Sequence, residues 1–479
     1  MTALQPTLRA QLPIVHVARI CLEAASPLSI GSGRSDALFD SPVVRDANDL
    51  PALPGSSLAG VLRAAVRESA GADFAQALFG HAGRSLADGA ASRVQVSWGR
   101  IHAADDVPVD GLVTDDRLLR DELLGPLLRA DLPKRDHVRL GHRGTGETAG
   151  KFDRSYVPAG HRFSFEMQLA CATEADEAAW AQLLMSLGSA SLRLGGATRR
   201  GFGRLLIVRL ESGRFDLRVA DDLNRYSALP TRLDFSASRL LAPKAAPSNA
   251  VGPWESVSVT LTPEDYWRVG GGAHPFAPGD KPADMLPASE KRVVWQNGKG
   301  RLSAKPAVVV PASAIKGALA HRLAFHFNRL VGRFAGAISP HEPNPAVAAV
   351  FGTVKQDDAS AEGHRGNVLI DDIVPDPKTI RPQVLMHNSI DRFTGGTRNG
   401  VLFGEEMLYG GELKLMMQID TQGIAQASGD LQPQVEQALA ATLHDLCTGQ
   451  LALGAAQARG HGFMRGVIND APEWLRSKQ

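Results

Sequence analysis

The strongest constraint on this chain is that it contains itself twice. Blocks that recur in one order at nearly one spacing mark repeated structural units rather than chance matches. "PGSSLAGVLRAAVRE" from Pro54 is answered by "PASAIKGALAHRLAF" from Pro311, an offset of 257. "LFG" ending at Gly80 is answered by "VFG" ending at Gly352. "HVRLGHRGTGETAGKFDRSYVPAG" from His137 faces "HNSIDRFTGGTRNGVLFGEEMLYGG" from His387, an offset of 250, and "LGGATRRGFGRL" from Leu194 faces "LGAAQARGHGFM" from Leu453, an offset of 259. The 479 residues therefore read as a tandem duplication, in keeping with a length that exceeds one ordinary core. Residues 226–254, rich in Pro, Ala and Ser with weak periodicity, read as a linker. The boundary falls near 240, with a first domain over 1–240 and a second over 241–479.

Each half has the same succession of periodic segments. "IVHVARICLEA" and "VSVTLTP" alternate as strands. After Pro54, Ser56 or Ser57 suits an N-cap, and Leu58, Val61, Leu62, Ala65 and Val66 share a helical face. "VQVSWGRI" and "NVLIDDIV" read as strands, as do "HRFSFEMQLA" and "GELKLMMQID". "EADEAAWAQLLMSLGSA" and "PQVEQALAATLHDLCTG" read as helices that lead to the glycine loops. The fold class expected is α+β, two tandem domains of β-α-β-β-α-β order with decorated loops, the ferredoxin-like plan of RNA-recognition domains.

The bulk numbers exclude more than they assign. A net charge of +1 provides no global field for nucleic acid, so a polyanion site must be a local concentration of Lys and Arg. Three cysteines with no ligand spacing argue against disulfides and structural zinc. No secretory pattern and no apolar run long enough to span a membrane is visible, which makes the cytoplasm the default expectation.

Local concentrations of charge do occur. Arg199, Arg200 and Arg204 lie among glycines in the first glycine loop, and five arginines run from Arg193 to Arg209 without an acid. Small residues let a phosphate backbone approach while arginines supply forked donors. The second copy keeps Arg459 and Arg465, with His461 added, and should bind anions more weakly. A helix N-terminus exposes unpaired N–H groups, so Ser56, Ser57 and Arg63 in one copy and Ser313 and Lys316 in the other are candidate phosphate contacts, although on local sequence alone a plain helix cap explains the motif better. The middle block carries Lys134, Arg135, Arg139, Arg143, Lys151 and Arg154 against Asp136, Glu147 and Asp153, and reads as a basic hairpin with "GTGETAG" at its tip. Ahead of each "PGSS"-type helix runs an acid-bearing loop, with Asp36, Asp40, Asp46 and Asp49 in the first half and Asp280, Asp284 and Glu290 in the second. Carboxylates beside an anion site can bind Mg²⁺ or assist a ribose 2′-OH, and can equally be ordinary surface acids.

In this order, "IGSG…D…LPGSSLAGVLR…LFG…VRLGHRGTGETAGKFDRSYVPAG…LGGATRRGFGRL" closely resembles the RAMP superfamily, specifically the backbone subunits of type III CRISPR–Cas effector complexes. The resemblance covers most of 14–210. The second half resembles the same family more loosely, through "VPASAIKGALAHRL", "VFG", "NSIDRFTGG" and "LGAAQARGHGF". Two fused modules resemble the arrangement of III-D-like complexes. The resemblance implies modified RNA-recognition folds with inserted thumb hairpins that displace a nucleotide between guide and target. Arg392 and Arg398 then fall in the second thumb, and CRISPR RNA, target RNA and other effector subunits are the implied partners. It also implies an RNA endonuclease that cuts target RNA at a loop aspartate with Mg²⁺ or Mn²⁺. Asp40 matches that aspartate in the first half; Asp284, then Asp280, are the choices in the second. Two alternatives stay open. One is an inactive scaffold; the other is a CRISPR-RNA-processing nuclease using a histidine from His137, His142 and His161.

Overall fold

The computed structural model describes residues 12–33, 41–83, 89–129, 132–141, 144–173, 176–247, 252–279, 282–334, 338, 342–353 and 363–476. Asp36, Asp40, His142, Arg143 and Asp280 lie outside the described residues. The chain condenses into two compact units. The first comprises Met1–Thr198, Phe202–Gly252 and Arg292–Ser303; the second comprises Arg199–Gly201, Pro253–Lys291 and Ala304–Gln479.

In the first unit, β1 (Ile14–Ala24) sends Ile14, Ala18, Ile20 and Leu22 into the main core, as strict alternation requires. Two helices follow, α1 (Gly55–Ala70) and α2 (Ala72–Phe79). Leu58, Leu62, Ala65 and Val66 bury one stripe of α1 against the sheet. The strands β2 (Val94–Val96) and β3 (Arg100–Ile101) come next, then the hairpin β4 (Lys134–Leu140) and β5 (Gly146–Ser155), then β6 (Arg162–Cys171). The helix α3 (Glu177–Ser186) and β7 (Leu205–Asp216) complete the set. The sheet runs β2-β6-β1-β7, antiparallel throughout, with β3 also on β6. With the β4–β5 hairpin set aside as an insertion, this is the ferredoxin-like order anticipated for the fold.

Two expectations are corrected here. Neither serine caps α1: Pro54 holds that position at φ −57° with no side-chain bond, since proline is already fixed near the helical φ. Nor is the part of the expected linker from Tyr226 to Leu241 free of the fold. Tyr226, Leu229, Ala237 and Leu241 pack with Val15, Val17 and Phe215 on the sheet face that α1 leaves open. Arg19, 2% exposed on that face, donates to the carbonyls of Arg232 at 2.7 Å and of Pro230, and to Glu166 at 3.0 Å. The first unit also takes in the hairpin Val293–Gln296/Lys299–Leu302, whose Trp295 Nε1 donates to Gly160 O at 2.7 Å under the guanidinium of Arg162.

The second unit repeats the plan. Its strands are β8 (Trp254–Pro263), β9 (Val368–Ile370), the hairpin β10 (Ile380–His387) and β11 (Phe403–Gly410), β12 (Leu413–Asp420) and β13 (Met464–Asp470). The helices are α4 (Ala312–Leu330), α5 (Pro345–Phe351) and α6 (Gln432–Cys447). The sheet runs β9-β12-β8-β13, antiparallel. Registers correspond: Ala18 faces Met167 in one unit, and Val257 faces Met417 in the other. Each hairpin carries a cross-strand His–Phe stack at the same place, His137 on Phe152 with centroids 5.0 Å apart and His387 on Phe403 at 5.1 Å. No helix among the described residues is long and apolar enough to cross a membrane.

Candidate nucleic-acid interface

The two glycine loops share one hydrogen-bond scheme. Leu194 N–H donates to Gly203 O, Gly196 N–H to Ser29 O and Gly203 N–H to Pro27 O. In the second unit Leu453 donates to Gly462, Ala455 to Arg268 and Gly462 to Tyr266. Gly195 at φ 87° and Gly454 at φ 96° show why glycine stands there. A Cβ on either would lie 2.3 or 2.2 Å from the carbonyl oxygen of Ser29 or Arg268. These two glycines serve close main-chain packing, a sufficient reason without any phosphate.

The cations of these loops have distinct surroundings. Arg199 Nε donates to Gly366 O at 3.2 Å, and its guanidinium lies 5.8 Å from the Trp254 ring. Burial, then the charges of Arg200 and Arg199, push the Lys316 ammonium down to about 8. Lys316 Nζ also donates to Phe351 O at 3.0 Å. At the start of α4, Ala312 N–H is already taken by Asp372 Oδ1 at 2.8 Å, so a carboxylate occupies part of the expected anion site; Ser313 is half-buried. On α1, Ser56 and Arg63 are exposed and Ser57 is half-buried. Arg204 is exposed; Arg459 is paired with Glu405 and Arg465 with Glu264 at 2.5 Å.

The basic hairpin is more nearly balanced than its sequence suggests. Lys134 pairs with Asp153 at 2.9 Å, and Arg139 approaches Glu147 at 3.7 Å. Lys151 is exposed. Arg135 is only 7% exposed, its guanidinium 4.7 Å from the Phe202 centroid and 5.8 Å from that of Tyr156. Most of "GTGETAG" lies within β5 rather than at the tip, and Gly141 N–H donates to Thr145 O. Arg392 and Arg398 are exposed in the segment between β10 and β11, beside Phe393 at 99% exposure. Met386, Ile390 and Leu402 are exposed there too, an apolar tip that the charge-led reading of the sequence passed over. Asp391 shapes the turn by accepting the N–H groups of Thr394 and Phe393, which hold its carboxyl below the usual range.

The acid loops are framed alike. Val44 N–H donates to Ile30 O at 2.8 Å and Ser32 N–H to Pro42 O at 2.9 Å. In the second unit Ala288 donates to Val269 and Gly272 to Leu286, both at 3.0 Å. Asp284 stands two residues before Leu286, as Asp40 in the sequence stands two before Pro42. Asp284 is exposed, and its Oδ2 accepts Gly404 N–H at 2.7 Å. Asp46 and Asp49 have local work. Asp46 Oδ1 accepts the N–H groups of Asn48 and Leu50, and Asp49 turns the chain at φ 58°. Glu290 lies in the short strand Ser289–Glu290 paired with Ala307–Val308. Among the described residues no group of three or more His, Cys, Asp or Glu could hold a metal ion.

Two of the three histidines named for acid–base chemistry, His137 and His161, are poorly placed for it. His137 is buried in its stack on Phe152, and burial depresses the wholly buried His161 to about 4. A line that sequence reasoning missed joins Ser164 Oγ to His102 Nε2 at 2.7 Å and His102 Nδ1 to Asp106 at 2.9 Å. Its partners come from two chain segments, the stretch 102–106 and β6. Ser164 and His102 are each 1% exposed, and burial with the Asp106 charge pushes the adjoining Cys21 thiol up to about 12, so the line ties the sheet together away from solvent.

Against known proteins, a family model described as the RAMP superfamily matches two regions in tandem, 21–206 and 262–465. No curated protein matches the chain.

Proposed function

The chain belongs to the RAMP superfamily through two regions in tandem, and from that premise we propose that it is a guide-RNA-binding backbone subunit of a type III, III-D-like CRISPR–Cas effector complex that cleaves complementary target RNA. Family membership supports a CRISPR-associated, RNA-binding role. The observation that carries it is the repeated acid-loop frame, within which Asp284 is exposed; by sequence spacing Asp40 stands at the matching position of the first half. Asp284 is preferred to Asp280 on that spacing.

The RNA side of the reading is supported by the exposed cations Arg63, Lys151, Arg204, Arg392 and Arg398. The partners would be CRISPR RNA, target RNA and neighbouring effector subunits. The near-neutral chain suits a groove that those neighbours complete.

Asp284 holds one oxygen on Gly404 N–H and leaves the carboxylate otherwise open to solvent. A single exposed carboxylate fits Mg²⁺ or Mn²⁺ bound mainly through water and phosphate oxygens, which would neutralise charge at the scissile phosphate. The residues themselves do the positioning. The hairpin, with Phe393 at its apolar tip, holds a nucleotide out of the stack, and the acid orders water and the neighbouring phosphate for in-line attack by the 2′-OH. Products should carry a 2′,3′-cyclic phosphate and a 5′-OH; recovery of a 5′-phosphate refutes the chemistry. Asp40→Ala and Asp284→Ala, introduced separately into assembled complexes, should each abolish one set of cuts. Cutting at every site in both variants would leave the scaffold reading. A histidine-dependent processing nuclease is disfavoured by the burial of His137 and His161.

A further inference from the structure

Four elements of the second unit meet on one carboxylate. Glu405, third along β11, is fully buried. Its Oε1 accepts Arg268 Nη2 at 2.7 Å and Nε at 3.1 Å. Its Oε2 pairs with Arg459 of the glycine loop and lies 3.2 Å from His387 Nε2 on β10. Burial alone would raise this carboxyl, but the hydrogen bonds from Arg268 and the charges of Arg268, Arg459 and His387 bring it below the usual range.

The network continues into the acid loop. Arg268 Nη1 donates to Gly270 O at 2.8 Å, and Nη2 lies 3.7 Å from Met285 Sδ. The next residue, Glu406, is also fully buried and accepts the N–H groups of Phe276 at 2.9 Å and Ala277 at 3.1 Å. Met285 N–H donates to Gly404 O, and Glu406 N–H to Met285 O. Asp284 itself accepts Gly404 N–H. The loop is thus fastened at Gly270, Phe276, Ala277, Asp284 and Met285, every one of them through Arg268 or through three consecutive residues of β11.

The first unit fastens its loop at the same register with different chemistry. Arg154 and Ser155 follow Phe152 at the spacing with which Glu405 and Glu406 follow Phe403. Arg154 Nη1 donates to Ser41 Oγ, Ser155 Oγ donates to Ser41 O, and Val43 N–H donates to Ser155 Oγ, all at 3.1 Å. A cation and a hydroxyl stand where the second unit has two buried carboxylates.

We propose that Glu405 and Glu406 are positioning residues that couple the hairpin and the glycine loop of the second unit to the loop presenting Asp284. Neither touches substrate. A buried carboxylate fixes its partners because removing one leaves the others uncompensated, so the loop moves only when the network does.

The experiment uses the full chain in its assembled complex, with Glu405→Gln, Glu406→Ala and Glu406→Gln. Amide exchange is read over 270–279 and 282–290. Glu405→Gln and Glu406→Ala should accelerate it at least tenfold, with partial recovery in Glu406→Gln, whose amide oxygen can still accept from Phe276 and Ala277. Exchange at Ser41–Val44, β12 and α6 should stay unchanged. Unchanged exchange in the acid loop overturns the inference, and so does equal loosening of β12 and α6, which marks general destabilisation. The second readout rests on the cleavage reading: the cut assigned to Asp284 should slow at least tenfold in kcat with KM unchanged, while the Asp40 cut keeps its rate. Loss of both cuts overturns the inference. If Asp284→Ala leaves every cut in place, the cleavage reading fails, and the exchange result still decides the positioning role.

Discussion

The depressed His161 makes a prediction that can be worked through in numbers. An unfolded-chain histidine takes up its proton near 6.5, whereas the wholly buried His161 resists protonation until about 4. Between those values the unfolded state binds more protons than the folded state. Stability therefore falls as pH falls through that window, and the loss is complete below the folded value. At about 1.4 kcal/mol per pH unit, the displacement from 6.5 to about 4 corresponds to a loss of about 3 kcal/mol in the first unit. That is large against the ~5–15 kcal/mol by which domains are stable. The perturbation is His161→Leu, which keeps an apolar group of similar reach and cannot titrate. Urea unfolding is followed between pH 7.5 and 3.5 by amide exchange in β1 and β6. The difference between parent and variant removes every other titration from the comparison. It should change by about 3 kcal/mol from the neutral to the acid end, with the parent losing more. A difference that stays flat with pH refutes the burial argument. The same argument requires a neutral imidazole at physiological pH, so His161→Leu should leave the pH profile of RNA binding between 6 and 8 unaltered.

Three further outcomes follow from the same structure. Gly195→Ala and Gly454→Ala force a left-handed alanine, costing about 1–2 kcal/mol before the clash with a carbonyl oxygen is counted. Differential scanning calorimetry should show a fall of at least about 2–4 °C in the unit concerned; an unchanged melt contradicts the packing role. Arg135→Met should weaken the first unit to urea yet leave the salt dependence of guide-RNA binding unchanged, because its guanidinium lies over Phe202 and Tyr156. Filter binding across salt compares the glycine loops. Replacing Arg199, Arg200 and Arg204 by Gln should flatten the slope of log K against log salt by up to about 2, at ~0.7 per single-strand phosphate contact. Replacing Arg459 and Arg465 should flatten it by less than about 1, since Glu405 and Glu264 already neutralise them; equal effects would contradict the asymmetry.

What was legible in the sequence follows from which forces act locally. The recurrence at offsets near 257 announced two copies of one fold, and the alternation of β1 and the stripe of α1 were readable because their periods are imposed by backbone geometry. The role of 226–254 was not readable. Tyr226, Leu229, Ala237 and Leu241 follow no period, and what gathers them is an open sheet face to which Val15 and Val17, more than 200 positions earlier, contribute with Phe215. Arg135 looked like one more surface cation because nothing near it in the chain reveals the ring of Phe202. The Glu405 network is the extreme case, with partners 54 and 137 positions away, so composition could suggest Arg459 as an RNA contact but not its tie to a buried acid. The repeat explains why such divergence is tolerated. The main-chain bonds that frame both acid loops are indifferent to side chains, so one register position can hold Arg154 in one unit and Glu405 in the other. Once a carboxylate is buried there, however, the equally buried Arg268 must compensate it, with Arg459 and His387 placed beside its second oxygen. The second unit is thereby committed to a linked set of substitutions, whereas in the first the bonds around Arg154 and Ser155 run to serine hydroxyls and main-chain groups.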